Sequence, residues 1–188
     1  MLEKAIKGLL HLQKTPVLTA GDFARLYEEH VDAVFNYCLF RMGDHNQAED
    51  LTADTFERAW RARGRYQPDR AAFSTWLFTI ARRVVIDKQR QNARRPMLPL
   101  ATQQQDENAL PEAQVEQNER RRTLYHLIQA LSPHEQELIA LKFGVGMTNR
   151  QMAQLLGKSE SAVGSAIHRV IQKLRQEGEM SKEGSHHE

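Results

Sequence analysis

The residue types with the clearest chemical potential lie at positions 58–95, where basic and aromatic side chains alternate. This segment has eleven Lys or Arg residues, two acids and five of the thirteen aromatic residues of the chain. Basic side chains follow phosphates, and aromatic rings stack on unpaired bases at about 1–3 kcal/mol each. The pattern is typical of a site for single-stranded nucleic acid. Trp60 and Trp76 are equally candidates for core packing, whereas packing explains Tyr66, in a loop, least well.

A second pattern, over residues 148–176, predicts a helix-turn-helix. Thr148 and Gln151 form a capping box, Gly157 provides the turn, and Ser159 caps the second helix. That second helix enters the major groove of duplex DNA in such motifs. Its outer face carries Lys158, Ser161, Ser165, His168, Arg169, Lys173 and Arg175. An ordinary helical hairpin with a solvated face is the alternative, but two capping boxes in this half of the chain favour DNA binding.

Charge is strongly segregated along the chain, although its total is only +2. The net charge is −7 over residues 21–57, +9 over 58–96, −5 over 97–119 and +3 over 120–188. Blocks of one sign indicate separate surfaces for separate partners.

Apolar residues at three-and-four spacing predict helices throughout and no strand. We expect the first helix to begin with Asp22 as its N-cap and to end at Gly43, and the third to begin near Phe73. Ser132, followed by Pro133 at the first helical position, predicts another helix start. The fold class is all-α, with two small helical domains joined by a flexible acidic linker.

Composition also predicts the domain boundaries. We expect an N-terminal extension over 1–18, a helical domain over 19–95 and a linker over 96–118, where Pro and Gln are frequent. A second helical domain follows over 119–178, and residues 179–188 form a polar tail.

Several classes of protein are disfavoured. A single cysteine excludes an intramolecular disulfide framework, and Cys38, on an apolar helical face, is expected to be a buried thiol. No metal-ligand spacing or nucleophile–base arrangement is present, so we expect no enzyme, metal or cofactor. No apolar stretch approaches the roughly 18 residues that span a bilayer. We therefore expect a cytoplasmic protein without membrane insertion.

Two blocks of the chain resemble bacterial RNA polymerase sigma factors, and most of all the extracytoplasmic-function (ECF) type. Residues 48–60 and 73–82 look like domain two of that family, and residues 131–174 look like domain four. The resemblance covers roughly residues 20–177. It implies a factor that binds core RNA polymerase and directs promoter recognition, DNA melting and transcription initiation.

The resemblance also implies roles for individual residues. The second helix of domain two would dock on the clamp helices of the largest polymerase subunit through Asp50, Leu51, Ala53, Asp54 and Glu57. The minus-ten element, on the melted nontemplate strand, would be read by Arg61, Arg63, Arg65, Tyr66, Asp69, Arg70, Trp76, Arg82, Arg83, Asp87 and Lys88. Duplex DNA at minus thirty-five would be read by Arg150, Lys158, Ser159, Ser161, Ser165, His168, Arg169 and Lys173.

Further expectations concern partners. In the family, domain four also contacts the polymerase flap and the linker lies along the RNA exit path, and an anti-sigma regulator is common. Four residues depart from the family pattern. Ala53 replaces a frequent Gln, and Arg83 replaces a frequent Asn. Gly164 and Ala166 stand where basic residues are frequent, which predicts weaker phosphate contact or an altered minus-thirty-five preference.

Two alternatives to the sigma factor remain open from the sequence. One is a helix-turn-helix regulator that binds duplex DNA without polymerase. The other is a protein-interaction module, such as a decoy for a sigma regulator. The linker and the basic, aromatic segment favour the sigma factor, because a duplex-binding repressor has no use for stacking residues.

Overall fold

The computed structural model describes residues 18–94, 124 and 126–184, all of whose regular elements are helical. Three long helices form the N-terminal bundle: α1 (Ala20–Met42), α2 (His45–Ala62) and α3 (Phe73–Arg94). A 3₁₀ turn, Arg63–Arg65, follows α2. The C-terminal bundle contains helical residues 126–129, α4 (Pro133–Ile139), a π-helical turn (Ala140–Gly144), α5 (Asn149–Leu156) and α6 (Glu160–Gly184). The predicted linker lies outside the described residues, as do residues 1–17 and residues 185–188, whereas α6 continues into the predicted polar tail as far as Gly184.

Local capping chemistry sets the helix ends. The N-cap of α1 is Thr19, not Asp22 as predicted, because Asp22 occupies the third helical position and completes the capping box with Thr19. Gly43 ends α1 in the left-handed conformation, at φ 71°. Ser132 and Glu135 form the predicted capping box of α4, with Pro133 in the first turn.

The core of the N-terminal bundle is formed by the inner faces of α1, α2 and α3. Tyr37 and Cys38 on α1 and Leu77 on α3 are completely buried. Burial raises the pKa of the Cys38 thiol to about 12, so the predicted buried thiol is confirmed and is poorly reactive. His30 stacks on Phe73, with ring centroids 5.5 Å apart.

The two bundles pack directly against each other. α1 contacts both α4 and the π-helical turn, and α3 contacts α5. Leu138 and Leu141, at the inner side of the C-terminal bundle, are fully buried. Composition predicted two domains but gave no indication of this contact.

Candidate nucleic-acid and polymerase interfaces

The acidic surface of α2 is built by residues one helical turn apart. Asp50, Ala53 and Glu57 are exposed. Asp54 accepts two hydrogen bonds of 2.8 Å from the guanidinium of Arg58, one at each carboxylate oxygen. Such a pair contributes little to stability, but it partly neutralises the surface. The α2 surface therefore remains acidic at its outer edge.

Leu51, another residue predicted to contact polymerase, lies largely inside the bundle. Its side chain is only 5% exposed and belongs to the hydrophobic core, because it lies about 100° around α2 from exposed Asp50 and faces α3. Leu51 therefore supports the helix from inside and forms part of the floor of the groove beside Asp50 and Asp54.

Three of the five aromatic residues of the basic segment form one cluster beside the 3₁₀ turn. Tyr66 lies 5.5 Å from Phe73, edge to face, and 5.3 Å from Trp76, between ring centroids. Its hydroxyl donates a 3.2 Å hydrogen bond to the carbonyl oxygen of Ala71. Tyr66, the residue that packing was expected to explain least well, is therefore packed against the bundle, as Trp60 and Trp76 are. The aromatic residues at positions 66, 73 and 76, on both sides of a short loop, were the feature of the sequence that could have predicted this packing.

Arginines lie around this cluster. The guanidinium carbon of Arg63 is 3.7 Å from the centre of the Trp60 ring, a cation–π contact, and its Nη1 donates to the Trp60 carbonyl oxygen. Arg65 and Arg70 are exposed, as is Asp69 between them. The structure thus combines half-buried rings with free positive charge.

Other residues predicted to bind the minus-ten element lie elsewhere. Asp87 and Lys88 on α3 line a shallow groove of about 220 Å³ together with Asp50 and Asp54, next to the acidic surface of α2. Asp87 lies 3.6 Å from Arg58. The predicted set is therefore divided between two surfaces.

Three more members of that set differ in their surroundings. Arg61 pairs with Glu57 on α2, and Arg83 is exposed on α3. Arg82 turns towards the C-terminal bundle, where its Nε donates a 2.6 Å hydrogen bond to Glu137.

The helix-turn-helix forms as its sequence predicts. Thr148 and Gln151 make the capping box of α5, and Gly157 turns the chain in the left-handed conformation at φ 64°. The Ser159 hydroxyl accepts a 3.2 Å hydrogen bond from the Ala162 amide at the start of α6.

Most of the residues predicted to read duplex DNA share the exposed surface of this motif. They are Arg150, Lys158, Ser159, Ser161, Ser165, His168 and Arg169. Lys173 is different, because its Nζ lies 3.5 Å from a carboxylate oxygen of Glu135 and is half-buried.

The structure gives Gly164 and Ala166 a packing role. A Cβ at Gly164 would lie 3.3 Å from Nδ2 of Asn149 on α5, and Ala166 packs against the core. Both are half-buried, and the small size of Gly164 leaves room for Asn149 where α6 passes α5. The effect of these two residues on phosphate contact or on minus-thirty-five preference stays a prediction.

Within the described residues, no cluster of three or more His, Cys, Asp or Glu side chains is placed to hold a metal ion. None of the helices described there has both the length and the apolar character needed to span a bilayer.

Comparison with known proteins identifies the class to which this fold belongs. Residues 26–95 match the family described as Sigma-70 region 2, and residues 121–174 match Sigma-70, region 4. The chain is 31% identical over 155 residues to the ECF RNA polymerase sigma factor SigL of Mycobacterium tuberculosis, covering 80% of this chain and 85% of that protein. It is 29% identical over 167 residues to SigX of Bacillus subtilis, covering 86% of each.

A third relative is longer. The chain is 33% identical over 159 residues to the ECF sigma factor BldN of Streptomyces coelicolor, covering 82% of this chain but only 60% of that protein. The chain therefore belongs to the Sigma-70 family. Within that family it is an ECF sigma factor, a transcription-initiation factor that directs RNA polymerase to promoters.

Solved structures agree with this fold. CnrH, in complex with the cytosolic domain of CnrY, is 25% identical with a TM-score of 0.60, covering 86% of this chain and 90% of CnrH. The sigma factor RpoE of Bartonella quintana, in complex with the anti-sigma factor NepR, is 20% identical with a TM-score of 0.64. The match covers 82% of this chain and 95% of RpoE.

Proposed function

We propose that the two bundles divide the work of promoter recognition, and that each surface described above has its own partner. The observation that carries the proposal is the separation of an acidic outer edge on α2 from an aromatic cluster surrounded by arginines. Opposite charges on one small bundle suit a protein that binds a basic polypeptide and a nucleic-acid strand together.

The proposed polymerase contact is the acidic edge of α2, formed by Asp50, Ala53, Asp54 and Glu57. The partner is the pair of clamp helices of the largest subunit. Charge complementarity at an interface rim raises the association rate and selects the orientation of docking.

The proposed minus-ten contact is the loop between α2 and α3. Bases of the nontemplate strand would leave the duplex stack and be held near Tyr66 and Trp76, while Arg63, Arg65 and Arg70 contact phosphates. Unstacking costs a few kcal/mol for each base, and stacking on a protein ring offsets it. Tyr66 is held in place by Ala71 and Phe73, so the site is already formed before DNA arrives.

The proposed minus-thirty-five contact is the N-terminal half of α6. Ser161 and Ser165 would face base edges, and Lys158 and Arg169 would contact phosphates. The C-terminal bundle would also contact the polymerase flap. The proposed role is non-catalytic, because the polymerase itself makes RNA. A protein in this role would lie with the polymerase in the cytoplasm.

The proposed regulator is an anti-sigma factor. One matched sigma factor, RpoE of Bartonella quintana, was solved with such a protein. The acidic linker would lie along the RNA path, since the five acids and no base of residues 97–119 suit a channel built for RNA.

The test is transcription in vitro with purified core polymerase and a library of genomic promoters, read by sequencing transcript 5′ ends. We expect a discrete set of start sites that depends on the added protein. Asp50→Lys should reduce this transcription and core binding about tenfold, whereas Asp32→Lys, the same change at an exposed position of α1, should not. Tight duplex binding by a protein that never binds core polymerase would refute the proposal in favour of a free-standing regulator.

A further inference from the structure

A groove of about 400 Å³ lies between the two bundles, and none of the residues predicted to bind polymerase or DNA lines it. It is formed by the end of α1, the last turns of α3 and the start of α4. Sites for small molecules have volumes of about 300–1,000 Å³. The groove is therefore large enough for a ligand that the proposed function does not involve.

The buried wall of the groove is provided by Arg41, which is only 4% exposed. Its Nη1 donates to the carbonyl oxygen of Pro133 at 2.8 Å, and its Nη2 donates to Oε1 of Gln89 at 2.9 Å. Both acceptors are neutral, and Nε is buried without a hydrogen-bond partner among the described residues. The carbonyl end of α1 offsets part of the charge, since Arg41 lies in the last turn of that helix.

The one acid among the residues that line the groove, Glu137, is already paired with a different arginine. Nε of Arg82 donates to Oε1 of Glu137 at 2.6 Å, and Nη2 donates to Oε2 at 3.2 Å. This pair is one cation and one anion, so it leaves the charge of Arg41 unbalanced. A buried charge is costly unless an opposite charge compensates it. The groove therefore favours an anion as its ligand.

Two more basic side chains line the groove where it meets solvent. Arg90 on α3 and His134 on α4 are exposed, and neither forms an ion pair within the part of the chain that the structure describes. A guanidinium group can donate to two phosphate oxygens at once, and an imidazole N–H can donate to a third. A phosphate ester offers three acceptor oxygens and a charge of about −1.5 to −2, which suits donors that converge from two helices.

The rest of the lining is largely apolar. Ile86 and Ala93 on α3 and Pro133 on α4 have no side-chain group that can bind a phosphate oxygen. They can cover the apolar or aromatic part of a ligand, which is how most small-molecule sites are built. The lining thus favours a phosphate that is attached to a compact organic group.

The walls of the groove are held together by direct contacts between the bundles. Besides the hydrogen bond from Arg41 to Pro133, a steric fit brings them close. A Cβ placed at Gly144, in the π-helical turn, would lie only 2.9 Å from Cδ2 of the Phe40 ring on α1. The absence of a side chain at Gly144 lets the C-terminal bundle approach α1. A ligand therefore finds both walls already assembled, which lowers the cost of binding.

We propose that this groove binds a small organic phosphate, a class that includes nucleotides. Arg90 and His134 donate to the phosphate oxygens, and the buried charge of Arg41 attracts the phosphate from below, where the low dielectric strengthens it. The organic group lies over Ile86 and Ala93. This site goes beyond the proposed function, because it requires neither polymerase nor DNA.

The experiment is isothermal titration calorimetry of the full-length protein with three probes: AMP, inorganic phosphate and adenosine. AMP carries both parts of the ligand, and each of the other probes carries one. AMP should bind at least about tenfold more tightly than inorganic phosphate, because each buried methylene-sized group contributes a factor of about four. Adenosine, which has no charge to place near Arg41, should not bind measurably.

Surface variants locate the binding. Arg90→Gln should weaken AMP binding at least about tenfold by removing charge-assisted hydrogen bonds, whereas Arg94→Gln, one turn further along α3 and outside the groove, should change it less than about twofold. Ala93→Glu adds an acid to the lining and should abolish AMP binding. Gln91→Glu adds the same charge to α3 but lines the groove beside Asp50, so AMP binding should persist. Circular dichroism checks that all four variants are folded.

Each contrary result overturns the proposal. Wild-type protein that does not bind AMP at millimolar concentration refutes the site. Equal weakening by Arg90→Gln and Arg94→Gln would mean diffuse attraction to a basic surface. Inorganic phosphate that binds as tightly as AMP refutes the assignment to an organic phosphate. These titrations contain no polymerase, so their failure is distinguishable from failure of the proposed function in transcription.

Discussion

Substitutions at Tyr66 separate its packing from its proposed stacking on a DNA base. Tyr66→Phe removes only the hydrogen bond to the Ala71 carbonyl, which is 3.2 Å long. A neutral hydrogen bond contributes about 0.5–1.5 kcal/mol. In a domain of about 60–100 residues, such as the N-terminal bundle, 1 kcal/mol shifts the melting temperature by about 4–8 °C. The ring stays in place, so we expect a lower melting temperature but unchanged promoter opening.

Tyr66→Ala removes the ring itself. A fully buried aromatic truncation costs about 3–5 kcal/mol, so the half-buried Tyr66 should cost about 2 kcal/mol of stability. Loss of one stacked base adds about 1–3 kcal/mol to the free energy of promoter opening, a decrease of roughly 5- to 150-fold. The assay is permanganate footprinting of the melted strand at saturating holoenzyme.

Tyr27→Ala is the matched control. Tyr27 lies on α1 outside the basic segment, is 44% exposed, and contacts Phe56 edge to face at 4.6 Å. It should lose comparable stability without any effect on promoter opening. Normal opening by Tyr66→Ala, or equal loss in Tyr66→Phe and Tyr66→Ala, would refute the stacking role.

Three further predictions concern the C-terminal bundle. Gly157→Ala should destabilise the protein by about 1–2 kcal/mol in urea unfolding, because its φ is 64°, whereas Gly64→Ala, with open space around its Cα, should be near neutral. Hydrogen bonds from Ser132 lower the pKa of Glu135 below its ordinary value of 4.5. The stability advantage of wild type over Glu135→Gln should therefore be complete above pH 4.5 and decline as the pH falls further. An advantage independent of pH would contradict this. Arg169→Ala should reduce the slope of log K against log salt for promoter binding by about 0.9, and an unchanged slope would exclude a phosphate contact.

Features that depend on near neighbours in the chain could be predicted from the sequence. The capping boxes at Ser132 and Thr148 and the glycine turn at Gly157 each involve residues three or four positions apart, whose geometry is set by the helix itself. The resemblance to sigma factors came from two such local blocks, and the family matches at 26–95 and 121–174 confirm it. Thr19 was missed only because Asp22 is an equally good cap by residue type.

What the tertiary structure decided depends on residues far apart in sequence. Leu51 is buried and Tyr66 is packed because other helices cover them, and Gly164 lies where an added Cβ would come within 3.3 Å of Asn149 on the preceding helix. Arg82 was predicted to face DNA, yet its partner is Glu137, 55 positions later. No periodicity or charge pattern links two such residues, because their contact depends on the path of the chain between the bundles and on the fit of Gly144 against Phe40.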